Sequence, residues 1–292
     1  MMELVKAKGN TYYFNAPAKA GLCVFGGSMA LLVDSGNDKD AGKRILHAIE
    51  GKGLTLSMIC NTHSHADHIG GNAYLQGKTG CDVLAMGVEC DFTNHPLLEP
   101  SLLYSAAPPK PLRHKFLLAA PSVCEPLTPQ RLPQGFSLLP LGGHAPDMVG
   151  IRTPDDVLFL GDALASPETL DKYRVGYIYD VGAYLDTLAR LREVKAALFI
   201  PAHAAPTEDL SDLIDYNIAA TEAVAEDILA ACGAPETHER ILKALFDKYG
   251  LPLNFAQFAL VGSTVRAYLA WLLDTGRVTA SFENNLLLWQ RI

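Results

Sequence analysis

The feature that most constrains this chain is a cluster of metal-ligand side chains directly after an apolar strand. The pattern predicts a strand over Leu54 to Cys60, and the chain continues as Thr62-His63-Ser64-His65-Ala66-Asp67-His68-Ile69-Gly70-Gly71. His63 and His65 project to the same side of an extended chain, and Asp67 and His68 lie on the turn into the next helix. Four such groups at one strand end repel and desolvate one another unless a cation lies between them, and they suit zinc, iron or manganese. The segment therefore predicts a metal site.

The rest of the chain shows strand and helix patterns in alternation. Hairpin-like strands precede Asp34, and helices are predicted over Asp38 to Glu50 and Ala183 to Lys195. Between and after them, strands are predicted over Val157 to Leu160 and Ala197 to Ile200. Such alternation indicates an α/β fold in which helices cover the sheets. A chain of 292 residues has room for one large domain and a small appendage.

The polar run resembles the HxHxDH signature of the metallo-β-lactamase superfamily. The remaining residues of that family's pattern follow in the same chain order, as Asp34 after Leu31-Leu32-Val33, His144 in Gly142-Gly143-His144, Asp162 after Phe159-Leu160-Gly161, and His203 in Pro201-Ala202-His203. Each match alone is weak, because an aspartate at a strand end or a histidine after glycines is common in turns. Together they imply the four-layer αββα sandwich of that family.

The resemblance also implies the roles of these residues. It implies two divalent ions that share one carboxylate, with His63, His65 and His144 on one ion, Asp67, His68 and His203 on the other, and Asp162 bridging both. Zinc is the expected metal, with iron or manganese as alternatives, and each ion keeps a position for water. A hydroxide that bridges the two ions is then the nucleophile at neutral pH, so Asp67 and Asp162 are expected to act in catalysis. Asp34 is expected to support a ligand imidazole from behind.

Three reactions are compatible with this ligand set. Because it includes Asp67, the set resembles that of the glyoxalase II, lactonase and ribonuclease-type branches rather than the common zinc β-lactamases. The favoured reaction is hydrolysis of a small ester, thioester or lactone. The alternatives are a metal-dependent endoribonuclease and a mononuclear iron sulfur dioxygenase. Three tyrosines after Asp162 are expected to shape the substrate pocket, namely Tyr173, Tyr177 and Tyr179.

The sequence predicts two regions. Residues 1–207 form the catalytic domain, in which the poorly periodic stretch 89–135, with nine prolines, is expected to be a lid or an oligomer contact, for example in a homodimer. Residues 208–292 are predicted to form a helical linker followed by three helices and a hairpin, which resembles a winged-helix domain. Its helix over Ser263 to Asp274 carries Arg266 as its one cation and is apolar around most of its circumference. Nucleic acid is therefore not an expected partner.

Composition narrows the class of protein further. The net charge of -8 gives no general attraction to phosphate backbones, so a small-molecule substrate is expected. The six cysteines form no CxxC pair and lie in apolar stretches, as in a reducing compartment. The first fourteen residues lack an apolar run long enough for a signal peptide or a membrane span. A cytoplasmic enzyme without a membrane association is expected.

Overall fold

The computed structural model describes residues 2–292, and two facing β-sheets form its centre. The larger sheet has its strands in chain order: β1 (Glu3–Lys8), β2 (Thr11–Asn15), β3 (Ala20–Phe25), β4 (Met29–Val33), β5 (Thr55–Cys60), β6 (Asp82–Ala85) and β7 (Cys124–Pro126). Strands β1 to β4 are antiparallel, whereas β4 to β7 are parallel. The smaller sheet has the order β11-β10-β9-β8, with β8 (Ser137–Pro140), β9 (Val149–Arg152), β10 (Val157–Ala165) and β11 (Leu198–His203).

Helices cover the outer faces of both sheets. Their bounds are α1 (Lys39–Gly51), α2 (Ala66–Ile69), α3 (Asn72–Thr79), α4 (Gly87–Asn94), α5 (Leu98–Tyr104), α6 (Pro167–Tyr173), α7 (Val181–Leu191), α8 (Ser211–Ala231), α9 (His238–Tyr249) and α10 (Phe255–Asp274). A hairpin of β12 (Val278–Glu283) and β13 (Leu286–Arg291) follows. Within residues 2–292, no helix has both the length and the apolar character that crossing a membrane requires.

Three apolar clusters define the layers. The first lies between the sheets and joins residues such as Leu31 and Cys60 of the larger sheet to Val149 and Phe159 of the smaller one. The second joins the outer face of the larger sheet to α1, through Ile45 and its neighbours. The third joins the smaller sheet to α7 and the C-terminal helices. Because each sheet buries one face against the other sheet and one face against helices, the predicted αββα sandwich is confirmed.

The C-terminal helices share a core with the smaller sheet. One continuous cluster contains Leu158 of β10 together with Ile228, Leu242 and Leu269 of α8, α9 and α10. Apolar side chains therefore pack across the predicted boundary between residues 207 and 208, and that boundary and the winged-helix likeness stay predictions. The predicted helix over Ser263 to Asp274 is the second part of a longer helix, α10, which begins at Phe255.

The stretch 89–135 has more regular structure than its proline content suggested. It contains most of α4, all of α5 and the strand β7, which forms the parallel edge of the larger sheet. Because both helices are short, an apolar period of 3.6 residues hardly repeats in them, which explains why the pattern did not predict them. Strand β9, with four residues, and helix α6, with seven, were not predicted either, because they are also too short for an apolar pattern to repeat. Whether the stretch acts as a lid or an oligomer contact stays a prediction.

Candidate metal centre

The topology brings the ends of four strands to one edge of the sandwich. Asp34 follows β4, the segment from His63 to His68 follows β5, and Asp162 and His203 lie near the ends of β10 and β11. The pairs β4/β5 and β10/β11 are parallel, so their carboxyl ends lie on the same side. His144 joins them from the turn between β8 and β9. This is why polar residues far apart in the chain meet at one place.

The seven predicted ligand residues form two groups that share one carboxylate. Within each group the ligand atoms lie within 4.8 Å of one another, and the groups are His63, His65, His144 and Asp162, and Asp67, His68, Asp162 and His203. Asp162 Oδ2 lies 3.5 Å from His144 Nε2 and 3.2 Å from His203 Nε2, and its Oδ1 lies 3.0 Å from His68 Nε2. The grouping is the one that the resemblance implies.

A β-bulge aims Asp162 at the site. The sequence suggested that Asp162 ends its strand, but β10 continues to Ala165, and its register with β11 shifts on both sides of Gly161. Gly161 has φ +52, and a Cβ there would lie 2.8 Å from Thr62 Oγ1. Only glycine therefore allows both the bulge and the close approach of Thr62. Bulges beside active sites commonly redirect a side chain in this way.

Hydrogen bonds behind the site set the tautomers of four imidazoles. Each Nδ1 has an oxygen acceptor: Thr62 Oγ1 for His63 at 3.1 Å, Asp34 Oδ2 for His68 at 2.8 Å, the Tyr177 carbonyl for His144 at 3.1 Å, and the Pro17 carbonyl for His203 at 2.9 Å. A carbonyl or carboxylate only accepts, so Nδ1 carries the proton and Nε2 presents a lone pair to the site. The Thr62 hydroxyl donates to Asp34 Oδ2 at 2.8 Å and therefore accepts from His63.

Asp34 is the centre of this supporting network. Its Oδ1 accepts the Thr62 backbone N–H at 2.8 Å, and its Oδ2 accepts from the Thr62 hydroxyl and from His68. The carboxylate thus acts on one imidazole in each ligand group: directly on His68, and through Thr62 on His63. Asp34 also has φ +59, which a non-glycine residue adopts at a cost and mainly at functional sites.

The donor atoms fit divalent metal ions. His65 Nδ1 lies 3.1 Å from His63 Nε2 and 3.0 Å from His144 Nε2. Two nitrogens that each bind a tetrahedral zinc at about 2.1 Å are separated by about 3.4 Å, so an adjustment of only a few tenths of an ångström is required. Among residues 2–292, His68 Nε2 and Asp162 Oδ1 are buried without a hydrogen-bond partner. Buried polar atoms that face each other unpaired are what a cation between them would satisfy.

The two groups differ in their protonation in the metal-free chain. Burial is the main cause that lowers the pKa of His63, His65 and His144, to about 3 for His65. The Asp162 carboxylate raises the pKa of His203 to about 10. Burial alone would lower the pKa of His68, but Asp162 and two further carboxylates hold it well above its usual range. The first group is therefore neutral and ready to bind a cation, whereas His68 and His203 hold protons.

We expect zinc binding to release protons at pH 7, and to release them from the second group. His68 and His203 must each lose a proton to coordinate a metal, because only the neutral imidazole has a free lone pair. The proton competes less as the pH rises towards about 10, so zinc affinity of this group rises with pH over that range. Calorimetry in buffers of different ionisation enthalpy measures the protons released. Binding of both metal equivalents at pH 7 without proton release would contradict this expectation.

A small cavity adjoins the first ligand group. Its volume is about 10 Å³, roughly that of one water, and its walls are Ser64, His65, Glu89, Phe92, Glu99, Leu102, Leu103, Ala145, Pro146 and Tyr177. The Tyr177 ring packs edge-on against His65 and His144, with centroids 5.2 and 5.6 Å away. Tyr173 and Tyr179 are about half exposed and do not line this cavity, so their pocket role stays a prediction.

Two buried carboxyl groups beside the site were not indicated by the sequence patterns. Glu89 on α4 is 1% exposed and Glu99 on α5 is 8% exposed. Burial, together with the nearby Asp67 and Glu89 charges, holds the pKa of Glu99 well above its usual range. Both residues lie in the proline-rich stretch, where acidic residues alternate irregularly with apolar ones. The only sequence pattern that could have indicated these two residues is an acidic residue among apolar neighbours, and that pattern is too common to identify a functional residue.

Comparison with known proteins identifies the family. The model of the "Metallo-beta-lactamase superfamily" matches residues 20–203, which include all seven residues of the two ligand groups. The chain belongs to the metallo-β-lactamase superfamily. Among curated relatives, the lactamase-like protein adaB of Aspergillus niger is 24% identical over 210 residues, which cover 70% of this chain and 56% of that protein. The chain thus matches little more than half the length of that relative.

A shorter local match is to a hydroxyacylglutathione hydrolase. The hydroxyacylglutathione hydrolase of Methylococcus capsulatus is 45% identical over 40 residues, 14% of this chain and 16% of that enzyme. A match of this length does not transfer that enzyme's substrate to the present chain.

Solved structures of the superfamily share the fold over nearly the full chain. A beta-lactamase domain protein from Burkholderia ambifaria superposes with a TM-score of 0.72 at 18% identity, covering 99% of this chain and 94% of that one. A metallo-beta-lactamase family protein from Thermus thermophilus gives 0.70 at 21% identity, covering 97% and 99%. The helices α8 to α10 are thus included in the superposed fold. These structures confirm the fold, and the His and Asp cluster gives this member of the superfamily two groups of side chains that could hold a metal ion.

Proposed function

We propose that this chain is a metallo-hydrolase that uses two zinc ions to cleave a small, uncharged ester, thioester or lactone. The observation that carries the proposal is the convergence of the ligand atoms into two groups that share Asp162. Hydrogen bonds from behind direct Nε2 of His63, His68, His144 and His203 at the site, and each Nε2 offers a lone pair once His68 and His203 have lost their extra protons. Two bound ions would lower the pKa of a water towards about 7 and so supply hydroxide at neutral pH.

The protein's own residues would balance the charge of the metal ions and keep water out of part of the site. Asp67 and Asp162 place negative charge beside the imidazoles, so that they offset part of the charge of two divalent cations. Tyr177 covers His65 and His144 on one side and limits the entry of water there. Helix α5, from the stretch 89–135, supplies Leu102 and Leu103 to the cavity wall. This placement supports a lid role for that stretch.

The acidic groups beside the first ligand group support an uncharged substrate. The adjoining cavity has room for about one water, so the substrate would lie outside it, but the cavity walls include the carboxyl groups of Glu89 and Glu99 and no lysine or arginine. Apart from the metal ions, a phosphodiester backbone or the carboxylates of a glutathione conjugate would therefore find no cation on this side of the site. Helix α10 buries Val265, Tyr268 and Leu269 in the core, which also argues against its use as a nucleic-acid recognition helix.

Metal analysis and a substrate panel test the proposal together. We expect two zinc ions per chain and turnover of at least one neutral ester, thioester or lactone, lost on chelation and restored by zinc. Phosphodiesters, single-stranded RNA and a glutathione thioester are the comparison substrates. Turnover of RNA alone, or a single iron with oxygen consumption on a persulfide, would replace the proposal with one of the two alternatives.

A further inference from the structure

Glu89 binds two loops that carry metal-ligand histidines. Its carboxylate is buried on α4, and Oε2 accepts the Ser64 backbone N–H at 2.9 Å and the Ser64 hydroxyl at 2.5 Å. Its Oε1 accepts the Asp147 backbone N–H at 3.1 Å. Ser64 stands between His63 and His65, whereas Asp147 follows His144 by three residues. A single side chain thus bridges the loop after β5 and the turn between β8 and β9.

The second loop returns a hydrogen bond to the same helix. Asp147 Oδ2 accepts the Val88 backbone N–H, at the start of α4, at 2.8 Å. Gly87 has φ +47, and a Cβ at this position would lie 2.0 Å from Asp147 Oδ2. Glycine is therefore required for the Asp147 carboxylate to reach the helix. The two carboxylates, Glu89 and Asp147, form a reciprocal clamp between α4 and the turn that carries His144.

Small displacements of the two clamped loops would change the spacing of the metal-ligand atoms. His65 Nδ1 and His144 Nε2, which belong to the two clamped loops, are 3.0 Å apart. Ligand atoms must be held within about 0.5 Å of the productive geometry. A backbone hydrogen bond from Val149 to Thr62, 2.9 Å long, also joins the loops, at the start of β9. Glu89 joins them at Ser64 and Asp147, which lie closer along the chain to His65 and His144 than Thr62 and Val149 do.

We propose that Glu89 is a positioning residue that sets the spacing between His65 and His144 and thereby the metal affinity of the first ligand group. The inference rests on the proposed function, because it takes that group to bind a metal ion. Glu89 contacts Ser64 and Asp147 and none of the ligand atoms, so it acts through the loops.

Three hydrogen-bond donors surround the Glu89 side chain, and they explain why this position requires a carboxylate. Both backbone N–H groups, of Ser64 and Asp147, point at Glu89, one at each oxygen. A glutamine offers one carbonyl oxygen and one NH₂ group, so its NH₂ would face one of the two N–H groups. The Ser64 hydroxyl can rotate, but a backbone N–H cannot become an acceptor. Glu89→Gln therefore keeps one loop attached and releases the other, with almost no change in side-chain volume.

Zinc titration of the metal-free chain tests the inference without using catalysis. Competition with a chromogenic chelator measures the affinity of each zinc equivalent, and thermal unfolding with excess chelator measures the stability of the metal-free fold. We expect Glu89→Gln to weaken one equivalent by about 10- to 100-fold and to leave the other within about threefold of the wild type. The matched control is Asp91→Asn, an exposed acid on the same helix, which should change neither equivalent.

A double-mutant cycle separates the clamp from a general structural role. Because Asp147→Ala removes the acceptor of the return bond of the same clamp, the two substitutions together should cost less zinc affinity than the sum of their separate effects. If Glu89→Gln does not fold, Asp147→Ala alone is compared with Asp91→Asn in the same titration. Equal zinc affinities for the clamp variant and the control, with only the unfolding temperature lowered, would overturn the inference.

The number of zinc ions that the wild-type chain binds separates a failure of this inference from a failure of the proposed function. If the wild-type chain itself binds fewer than two zinc equivalents, the two-metal proposal fails before Glu89 is tested. The clamp is then tested on the single equivalent that remains, and an unchanged affinity there in Glu89→Gln overturns it.

Discussion

Asp162→Ala is expected to remove both bound zinc ions and to lower kcat/KM by more than about 100-fold. Substitution of a residue that merely supports a metal ligand typically costs about 10- to 100-fold, and Asp162 belongs to both ligand groups, so its loss should cost more. The remaining ligands of the second group would be Asp67, His68 and His203. Without Asp162, His203 also loses the charge that holds its pKa at about 10.

The measurement is metal content by mass spectrometry, together with turnover of the best substrate from the panel. Asp162→Asn tests the same point with an almost unchanged shape, since an amide is a poorer ligand than a carboxylate. The matched control is Asp186→Asn, an exposed aspartate on α7. If Asp162→Ala retained both ions and wild-type turnover, the assignment of the site would be wrong.

Asp34→Asn is expected to weaken both ligand groups at once, each by about 10- to 100-fold in zinc affinity, although Asp34 faces neither ion. The Thr62 backbone N–H requires an acceptor, so the amide oxygen of the introduced asparagine must take the place of Oδ1. The NH₂ group then faces His68 Nδ1 and the Thr62 hydroxyl. His68 must move its proton to Nε2 and loses the lone pair that faces the site.

The effect on the first group passes through Thr62. If the Thr62 hydroxyl accepts from the amide, it turns its own proton towards His63 Nδ1, and His63 must also carry its proton on Nε2. Nitrogen-15 NMR of the histidine side chains distinguishes the two tautomers directly. Unchanged tautomers with normal zinc binding in Asp34→Asn would contradict this account of the network.

Asp34→Ala removes the carboxylate without introducing the NH₂ group of Asp34→Asn, so the two variants can be compared. It removes the acceptors of four buried donors without offering a competing donor, so it should destabilise the fold by about 3 kcal/mol or more. The expected order is that alanine lowers the unfolding temperature of the metal-free chain further, whereas asparagine affects the tautomers more. Chemical denaturation with excess chelator, compared with the NMR measurement, separates the two effects.

Local patterns predicted most of the regular elements and the ligand residues. Helix α1 begins after Asp38, whose side chain accepts the Ala41 N–H, close to the predicted start. Helix α7 and the strands β5, β10 and β11 were also predicted, and each begins within two residues of its predicted start. These elements are long or strongly periodic, so neighbouring residues suffice to indicate them.

The chemistry of the site was recognisable in the sequence because it depends on residue type and local spacing. Three histidines and an aspartate within six positions after an apolar strand require a cation wherever the chain folds. The resemblance then supplied Asp34, His144, Asp162 and His203 in the correct order. Metal-ligand geometry tolerates few substitutes, which keeps such a motif detectable over a long chain.

Contacts between distant segments were decided by the tertiary structure alone. The Pro17 carbonyl orients His203 across 186 positions, and Glu89 holds Asp147 across 58. The bulge at Gly161 and the packing of α10 into the core likewise depend on which surfaces meet. A backbone carbonyl or a lone glutamate has no local signature, since its role exists only once the sheets have packed. The sequence by itself indicated which residues are the candidate metal ligands, and the fold determined which groups hold those residues in place.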